Sequence, residues 1–392
     1  MKTMQLIKYE YMKLWKRKSV PICFVSVLFL LLLTGSMMAW GSIKLDDVEV
    51  CTQSEYLAME RKAGESIKGR KMDDETMWDA LEKQEEHDNT VLTPKNWKAE
   101  YEEYMPYRLM LDSFLYFPIV PEKSQETVRR ERLEELFEGK KLSEGEKAYL
   151  FSLDEKTERP MEYAYNEGYS RFHALQVSTM MIIAIFLVIC LAPMFAEEVK
   201  TKTDALILSS QYGRGHLFAA KMITGITFAA VTSFILYVAV LIEQLVMYGM
   251  GDASLPMQQT WNLSTSVFPF SIAQSVAVCI GCGVLSSCMV GLLMLLFSFK
   301  LKSSFATSVI GIILAFLPSF ASILPENVHW LMLIANVFPG CFGTYGNTFA
   351  DQLLKLGDAF IPAYLYGPVC YLLIAAILIL VARKMYVRRQ VS

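Results

Sequence analysis

Apolar and polar residues alternate in long blocks along this chain, not residue by residue. Five runs hold no Asp, Glu, Lys or Arg: residues 19–43, 172–196, 268–299, 303–325 and 359–382. Each is dominated by Leu, Ile, Val, Phe, Met and Ala, and each approaches or exceeds the roughly 20 apolar residues needed to cross a hydrocarbon core of about 30 Å. A sixth run, about 222–248, carries one charge, Glu243. Counted from the start of that helix at about 1.5 Å per residue, Glu243 falls near the far interface and reads as a head-group glutamate. The pattern predicts an all-α integral membrane protein with six transmembrane helices.

The remaining charge is sorted along the chain. Segments 1–18, 197–221, 300–302 and 383–392 hold sixteen lysines and arginines, whereas the short loops 249–267 and 326–358 hold only Lys355. The positive-inside rule then places both termini in the cytoplasm of a plasma-membrane protein. Residues 44–171, between the first two spans, carry 20 basic and 31 acidic side chains, a net charge of about −11, on the outer face. Long translocated domains escape the positive-inside rule, so these bases do not upset the topology. The overall balance of −3 in 392 residues, 53% hydrophobic and 20% charged, describes none of these parts. It gives no reason to expect a nucleic-acid partner.

Within 44–171, Met77, Ala80 and Leu81, then Leu133, Leu136 and Phe137, recur at helical spacing, so a helical extracellular domain is expected. Tyr101, Tyr104, Tyr107, Phe114, Tyr116 and Phe117 form an aromatic run suited to that domain's core or to a surface resting on head groups. At the other end of the chain, Met4, Ile7, Tyr11, Leu14 and Trp15 share one helical face with lysines around them. Residues 1–18 therefore read as a basic amphipathic helix on the inner leaflet. The following run is longer than a signal-peptide core and ends at Trp40, so 19–43 reads as a retained first span. Asn327 to Phe338 is too short to cross, which makes 326–358 an outer re-entrant or interfacial segment.

Candidate chemistry is sparse. Cys279, Gly283, Ser287 and Gly291 recur every four residues and form a small-residue stripe for close helix packing. Cys279 and Cys282 match C-x-x-C, but they lie inside an apolar span with no second pair. Cys51 and Cys341 are the two cysteines placed outside, and the sequence does not test whether they pair. His87, His173, His216 and His329 are scattered, giving no catalytic, cofactor or metal site. No phosphate loop is present: Gly139-Lys140-Lys141 lacks the upstream glycine and the following Ser or Thr.

The most informative stretch follows the second span. Ala192-Pro193-Met194-Phe195-Ala196-Glu197-Glu198 leads into Thr203-Asp204-Ala205-Leu206-Ile207-Leu208-Ser209-Ser210, then Gly213-Arg214 and Ala220-Lys221. A span ends at two carboxylates, a short helix exposes Leu206 and Ile207, and Lys221 anchors the next span. This stretch resembles the permease subunits of ABC-2 type ABC transporters, which share A-P-x-F-x-x-E, a T-x-x-L-L-L-S-like helix, then G-R and A-K. The N-terminal basic helix is similar to that family's connecting helix. Pro160, Glu162, Tyr163, Tyr165, Gly168 and Tyr169 resemble a Firmicutes-type branch with a large outer domain. One departure is Lys202, where the family often has glycine.

The resemblance implies a non-catalytic subunit that pairs with a second permease copy or a similar permease and docks an ABC ATPase subunit. ATP and Mg would be bound by that partner, and this chain would bind no cofactor. Glu197, Glu198, Thr203, Asp204, Leu206, Ile207, Ser210 and Arg214 would form the ATPase-coupling surface. Transport is expected to be outward, of a peptide or lipid-like substrate. Two other classes compete with this one. A secondary transporter would need paired ionisable groups at mid-membrane, where the spans offer only Gln274 and Glu243. A membrane sensor or resistance-signalling protein would use the outer domain.

Overall fold

A computed structural model of the chain describes every residue except Met1, 114–116, Pro118, 121–122, 204–205, 207–208, 210–212, Arg214 and 389–392. The described chain is helical apart from two short antiparallel hairpins. Five helices are long and apolar enough to cross a membrane, consistent with an all-α membrane protein.

The chain opens with α1 (Lys2–Lys16) and α2 (Ser19–Ser36). Strands β1 (Ser42–Leu45) and β2 (Val48–Thr52) form a hairpin that the helical periodicity did not predict. Thr52 then caps α3 (Gln53–Ser66) by a reciprocal box with Glu55, satisfying amides that the first turn leaves free. Helices α4 (Asp74–Asp88), α5 (Trp97–Asp112), α6 (Gln125–Gly139) and α7 (Glu144–Asp154) complete the large insertion.

The insertion has two cores. Tyr56, Met77, Ala80, Trp97, Met105 and Met110 pack α3, α4 and α5 together. Leu133, Phe137, Leu150 and Leu153 of α6 and α7 pack instead against Met257, Val267, Phe268 and Phe349, which belong to loops between later helices. The insertion is therefore not one free-standing domain, because its second half is completed by the far end of the bundle. Arg129 fixes that junction: its guanidinium pairs with Asp154 at 2.8 Å and donates to the Ser264 and Ser266 carbonyls at 2.7 and 2.9 Å. The aromatic run is spent on similar packing. Tyr101 stacks on Trp97, Tyr104 on His87, and buried Phe117 lies under Arg129. Phe114 and Tyr116 fall outside the described residues.

Residues 161–165 return alongside 69–72 through backbone hydrogen bonds of 2.8 Å and lead into α8 (Glu167–Leu191). A Cβ on Gly168 would lie 2.6 Å from the Gly249 carbonyl oxygen, so glycine permits the approach of α8 to the end of α10 (His216–Tyr248). Helix α9 (Pro193–Lys200) continues α8 after Pro193, and α11 (Ile272–Leu301) packs with α8 and α10 to make the bundle centre. Buried residues make up 72% of the most apolar stretch of α8–α9, against 17% for α2 and 22% for α15 (Ala363–Val387), so α8 is central and the other two peripheral.

The expected span 303–325 takes a mixed form: α12 (Ser304–Phe316) is α-helical, and Leu317–Ile323 continues as 3₁₀-helix through Pro318. Thirteen residues at about 1.5 Å and seven at about 2 Å give roughly 34 Å, so the apolar length survives the change of helix type. Short helices α13 (His329–Asn336) and α14 (Tyr345–Thr348) follow, then hairpin β3 (Leu354–Leu356) and β4 (Ala359–Ile361) before α15.

Cys51 and Cys341 are both free thiols, so no disulfide joins them. The small-residue stripe faces α10 and α8: a Cβ on Gly283 would meet the Tyr237 ring at 2.8 Å, and one on Gly291 would meet Ala229 at 3.0 Å and Leu191 at 3.3 Å. Ser287 returns its hydroxyl to the Gly283 carbonyl, and Cys279 is buried at the edge of the second core. Within one chain the stripe is thus already occupied by packing.

Candidate functional site

Where α8 becomes α9, Pro193 has no N–H to donate, so the helical hydrogen-bond ladder is interrupted and leaves backbone groups to satisfy. Ser298 of α11 meets that need. Its hydroxyl donates to the Ala192 carbonyl at 2.6 Å and accepts from the amides of Phe195 and Ala196 at 3.0 and 3.1 Å. Ser298 is fully buried, so the junction of α8 and α9 is held from the centre of the bundle.

Helix α9 carries Glu197 and Glu198 to the first turns of α10 and to α1. Lys221 of α10 is completely buried, and its ammonium lies 2.8 Å from Glu198 Oε1, 3.0 Å from Glu10 Oε2 and 3.0 Å from the Met194 carbonyl oxygen. Its three protons meet three acceptors, and the Phe195 ring lies 5.4 Å away. Lys13 adds a second cation to Glu198 at 2.9 Å, and Arg17 pairs with Glu197 at 2.5 Å. Removing any partner would leave a charge in a medium that solvates it poorly.

This clasp joins α1 to two helices whose residues lie 185 and 211 positions further along the chain. Helix α1 does not lie free: Leu14 and Glu10 are buried against the bundle, and Trp15 meets Phe228 and Phe24 edge-on. The buried face of α1 includes the acid Glu10, which an apolar-stripe reading passes over. A lone Glu in a basic helix and a lone Lys at the start of an apolar run were the available signals, but nothing in the sequence pairs them across 211 positions.

Beyond α9 the chain turns at once. The Thr203 amide donates to the Glu198 carbonyl at 2.9 Å, and the Thr201 hydroxyl to that of Glu197 at 2.9 Å, closing the helix end. Lys202 takes φ +57°, the left-handed conformation that glycine adopts most readily. Thus the lysine that departs from the expected glycine holds the conformation a glycine would supply. Leu206 is 75% exposed and is helical, with Ser209 bonded back to its carbonyl. Asp204, Ile207, Ser210 and Arg214 lie outside the described residues. The structure therefore brings Glu197, Glu198 and Thr203 together and leaves Leu206 projecting nearby in sequence.

The opposite end of the molecule holds cavities instead of a clasp. One of about 290 Å³ lies between α3, α5 and the start of α8, with Glu60, Arg108, Asp112, Arg171 and Trp261 in its wall. Arg108 pairs with Asp112 at 3.5 Å and Arg171 with Glu167 at 2.5 Å, while Glu60 accepts a long bond of 3.4 Å from the Tyr165 hydroxyl. Burial, helped by the neighbouring Glu167 carboxylate, pushes the Glu60 carboxyl up to about 7. Among the described residues no cluster of His, Cys, Asp and Glu has the makings of a metal centre.

No protein-family model matches this chain, and neither the curated proteins nor the solved structures contain a significant match to it.

Proposed function

We propose that this chain is the membrane-spanning, non-catalytic subunit of an ABC-2 type transporter, with α12 and its 3₁₀ extension as the sixth crossing. Both termini and the 201–215 loop then face the cytoplasm, the large insertion faces outward, and transport runs outward. The observation that carries this reading is the clasp of Lys221, Glu10 and Glu198. It turns the base of α1, α9 and α10 into one rigid block, from which the loop bearing Leu206 departs and to which it returns. A force applied to that loop by an ATPase subunit would reach α8 and α10 together, because neither end of the loop can yield independently.

A second permease, another copy or a similar chain, and two ATPase subunits complete this arrangement. ATP binding would draw the ATPases together, and the two arrangements of the spans would differ in which side of the bundle they open. ATP and Mg belong to the partner.

The test is co-expression with the product of the neighbouring reading frame, which this reading expects to be a phosphate-loop ATPase, followed by purification in mild detergent. The ATPase is expected in stoichiometric yield with the unaltered chain. It should be lost with Leu206→Asp, whose exposed position leaves the thermal midpoint of the permease unchanged. Stoichiometric retention by Leu206→Asp, or no retention by the unaltered chain, would overturn the proposal.

A further inference from the structure

The cavity of about 290 Å³ between α3, α5 and the start of α8 holds five charged side chains among the described residues: Glu60, Asp112 and Glu167 against Arg108 and Arg171. Arg108 is committed to Asp112 at 3.5 Å and to the Tyr56 hydroxyl, and Arg171 to Glu167 at 2.5 Å. Three carboxylates against two guanidinium groups leave this wall one negative charge in excess. A carboxylate withdrawn from water is unfavourable until a cation or hydrogen-bond donors offset its charge. The position of the Glu60 carboxyl, up at about 7 through burial first and the Glu167 charge second, fits that deficit.

The uncharged polar groups of the wall are largely spent within the protein. The Ser113 hydroxyl donates to the Leu109 carbonyl at 3.1 Å, Asn166 Nδ2 to Gln259 Oε1 at 3.3 Å, Gln259 Nε2 to the Glu162 carbonyl, and the Tyr165 hydroxyl to Glu60 at 3.4 Å. Tyr163 differs. It is only 5% exposed, yet its hydroxyl has no hydrogen-bond partner among the described residues and still reaches open space. The charges that act on this hydroxyl are those of Glu167, Glu60 and Asp112, all in the cavity wall, which puts it on the cavity side of its ring. Polar groups this buried are normally bonded, so an open phenol facing three carboxylates marks a place for a ligand.

Sign and size narrow that ligand. An anion would add to the excess of negative charge. A metal ion has no set of ligands here, because among the described residues no three His, Cys, Asp or Glu side chains are grouped to hold one. The class left is an organic cation, whose N–H groups can reach the Glu60 carboxylate and the Tyr163 oxygen together. Acceptors carried by different elements suit a compact ammonium with three rotatable donors better than the planar fork of a guanidinium. Trp261, Tyr163 and Tyr165 add aromatic walls, beside which both methylenes and an ammonium are favoured. At the small end of ligand cavities, the space suits one short chain.

We propose that this cavity binds a primary alkylammonium group, with Glu60 and the Tyr163 hydroxyl as its acceptors and the aromatic rings along its methylenes. A free amine and the side chain of a lysine in a peptide present the same group. Because the cavity joins the insertion to the start of α8, occupation ties α3 and α5 to the bundle. The assignment does not depend on the permease reading; it uses only the groups around this cavity.

The test is isothermal titration calorimetry of the purified full chain in detergent at pH 8 with n-butylamine, n-butanol, butyrate and a glycyl-lysyl-glycine peptide blocked at both ends. The amine should bind at least tenfold tighter than butanol or butyrate. Glu60→Gln should weaken it at least fivefold and Tyr163→Phe at least threefold, both with a thermal midpoint no lower than that of the unaltered chain. Between pH 8 and pH 6 the affinity should fall at least threefold as Glu60 takes up its proton, while the amine, titrating like lysine at about 10.4, stays charged. Tighter binding of the peptide than of n-butylamine assigns the group to a lysine side chain, and weaker binding assigns it to a free amine. Butanol or butyrate binding as tightly as the amine would overturn the cationic ligand. Displacement of the amine by equimolar magnesium would overturn its organic nature. Undiminished amine binding in Glu60→Gln and Tyr163→Phe would overturn the site.

Discussion

The two ends of the bundle solve the problem of buried polarity in opposite ways. At one end, Lys221 meets three acceptors, and Ser298 satisfies one carbonyl and two amides around Pro193. At the other, Glu60 lies in a cavity wall where it accepts a 3.4 Å bond from the Tyr165 hydroxyl, and Asn262, Asn336 and Ser266 leave buried atoms unpartnered. The charges around Lys221 are paired, although Arg17 Nε and Nη1 beside them are not, and a paired charge network resists any displacement that would strand a charge. An incompletely paired one retains free energy to be gained from a bound partner or a proton. The contrast assigns stiffness to the end bearing the loop and responsiveness to the end bearing the insertion.

Breaking the stiff end should produce the largest effect. Lys221→Met leaves Glu10 and Glu198 facing each other in a buried site, and the expected destabilisation is about 3–5 kcal/mol. Thermal unfolding of the purified chain measures it. Adding Glu10→Gln should restore part of the loss, because one stranded carboxylate is then gone. If Lys221→Met unfolds at the midpoint of the unaltered chain, the clasp carries none of the rigidity assigned to it.

The responsive end should answer to pH. The Glu60 carboxyl has an ordinary value of 4.5 and is raised by burial to about 7 in the folded chain. Its contribution to stability is therefore fully present below about 4.5 and is lost as pH rises through about 7. Asp112, raised by burial against the pull of Arg108, contributes in the same direction. Between pH 5.5 and 8 the thermal midpoint should fall with rising pH. Glu60→Gln should flatten the profile and raise the midpoint at pH 8. A profile equally steep in Glu60→Gln would move the effect to another group.

The smallest effect sharpens the comparison at the exit from α9. Left-handed backbone costs a non-glycine residue about 1–2 kcal/mol, and glycine's larger unfolded entropy returns about 0.5–1 of that. Lys202→Gly should accordingly leave the midpoint unchanged or raise it by the equivalent of at most about 1.5 kcal/mol. A clear loss of stability would show that the Lys202 side chain does more than occupy the turn.

Much of this was legible in the chain. Apolar blocks gave the long helices because bilayer-scale runs without charge leave few alternatives, and Pro193 followed by two carboxylates marked the end of α8–α9. The 303–325 run was legible as apolar length but not as a change to 3₁₀ geometry, which depends on how Pro318 is accommodated. The β1–β2 hairpin was missed because four- and five-residue strands carry too few positions for alternation to stand out. Lys221 was visible as an anchor, whereas its partner Glu10 was hidden inside a helix whose basic face dominated the pattern. The unpartnered asparagines had no sequence signal at all, since an Asn in a loop is ordinary until its neighbours are known.

The sequence by itself determined where charge was absent, and hence the helical class and the segments suited to a membrane, because hydrophobic transfer is summed locally along a helix. Only the tertiary structure decided which charges meet, that α6 and α7 share a core with loops more than 100 residues away, and which polar atoms remain unpaired. Pairing and satisfaction are properties of two or more groups at hydrogen-bond distance, and no periodicity within one segment encodes the position of another.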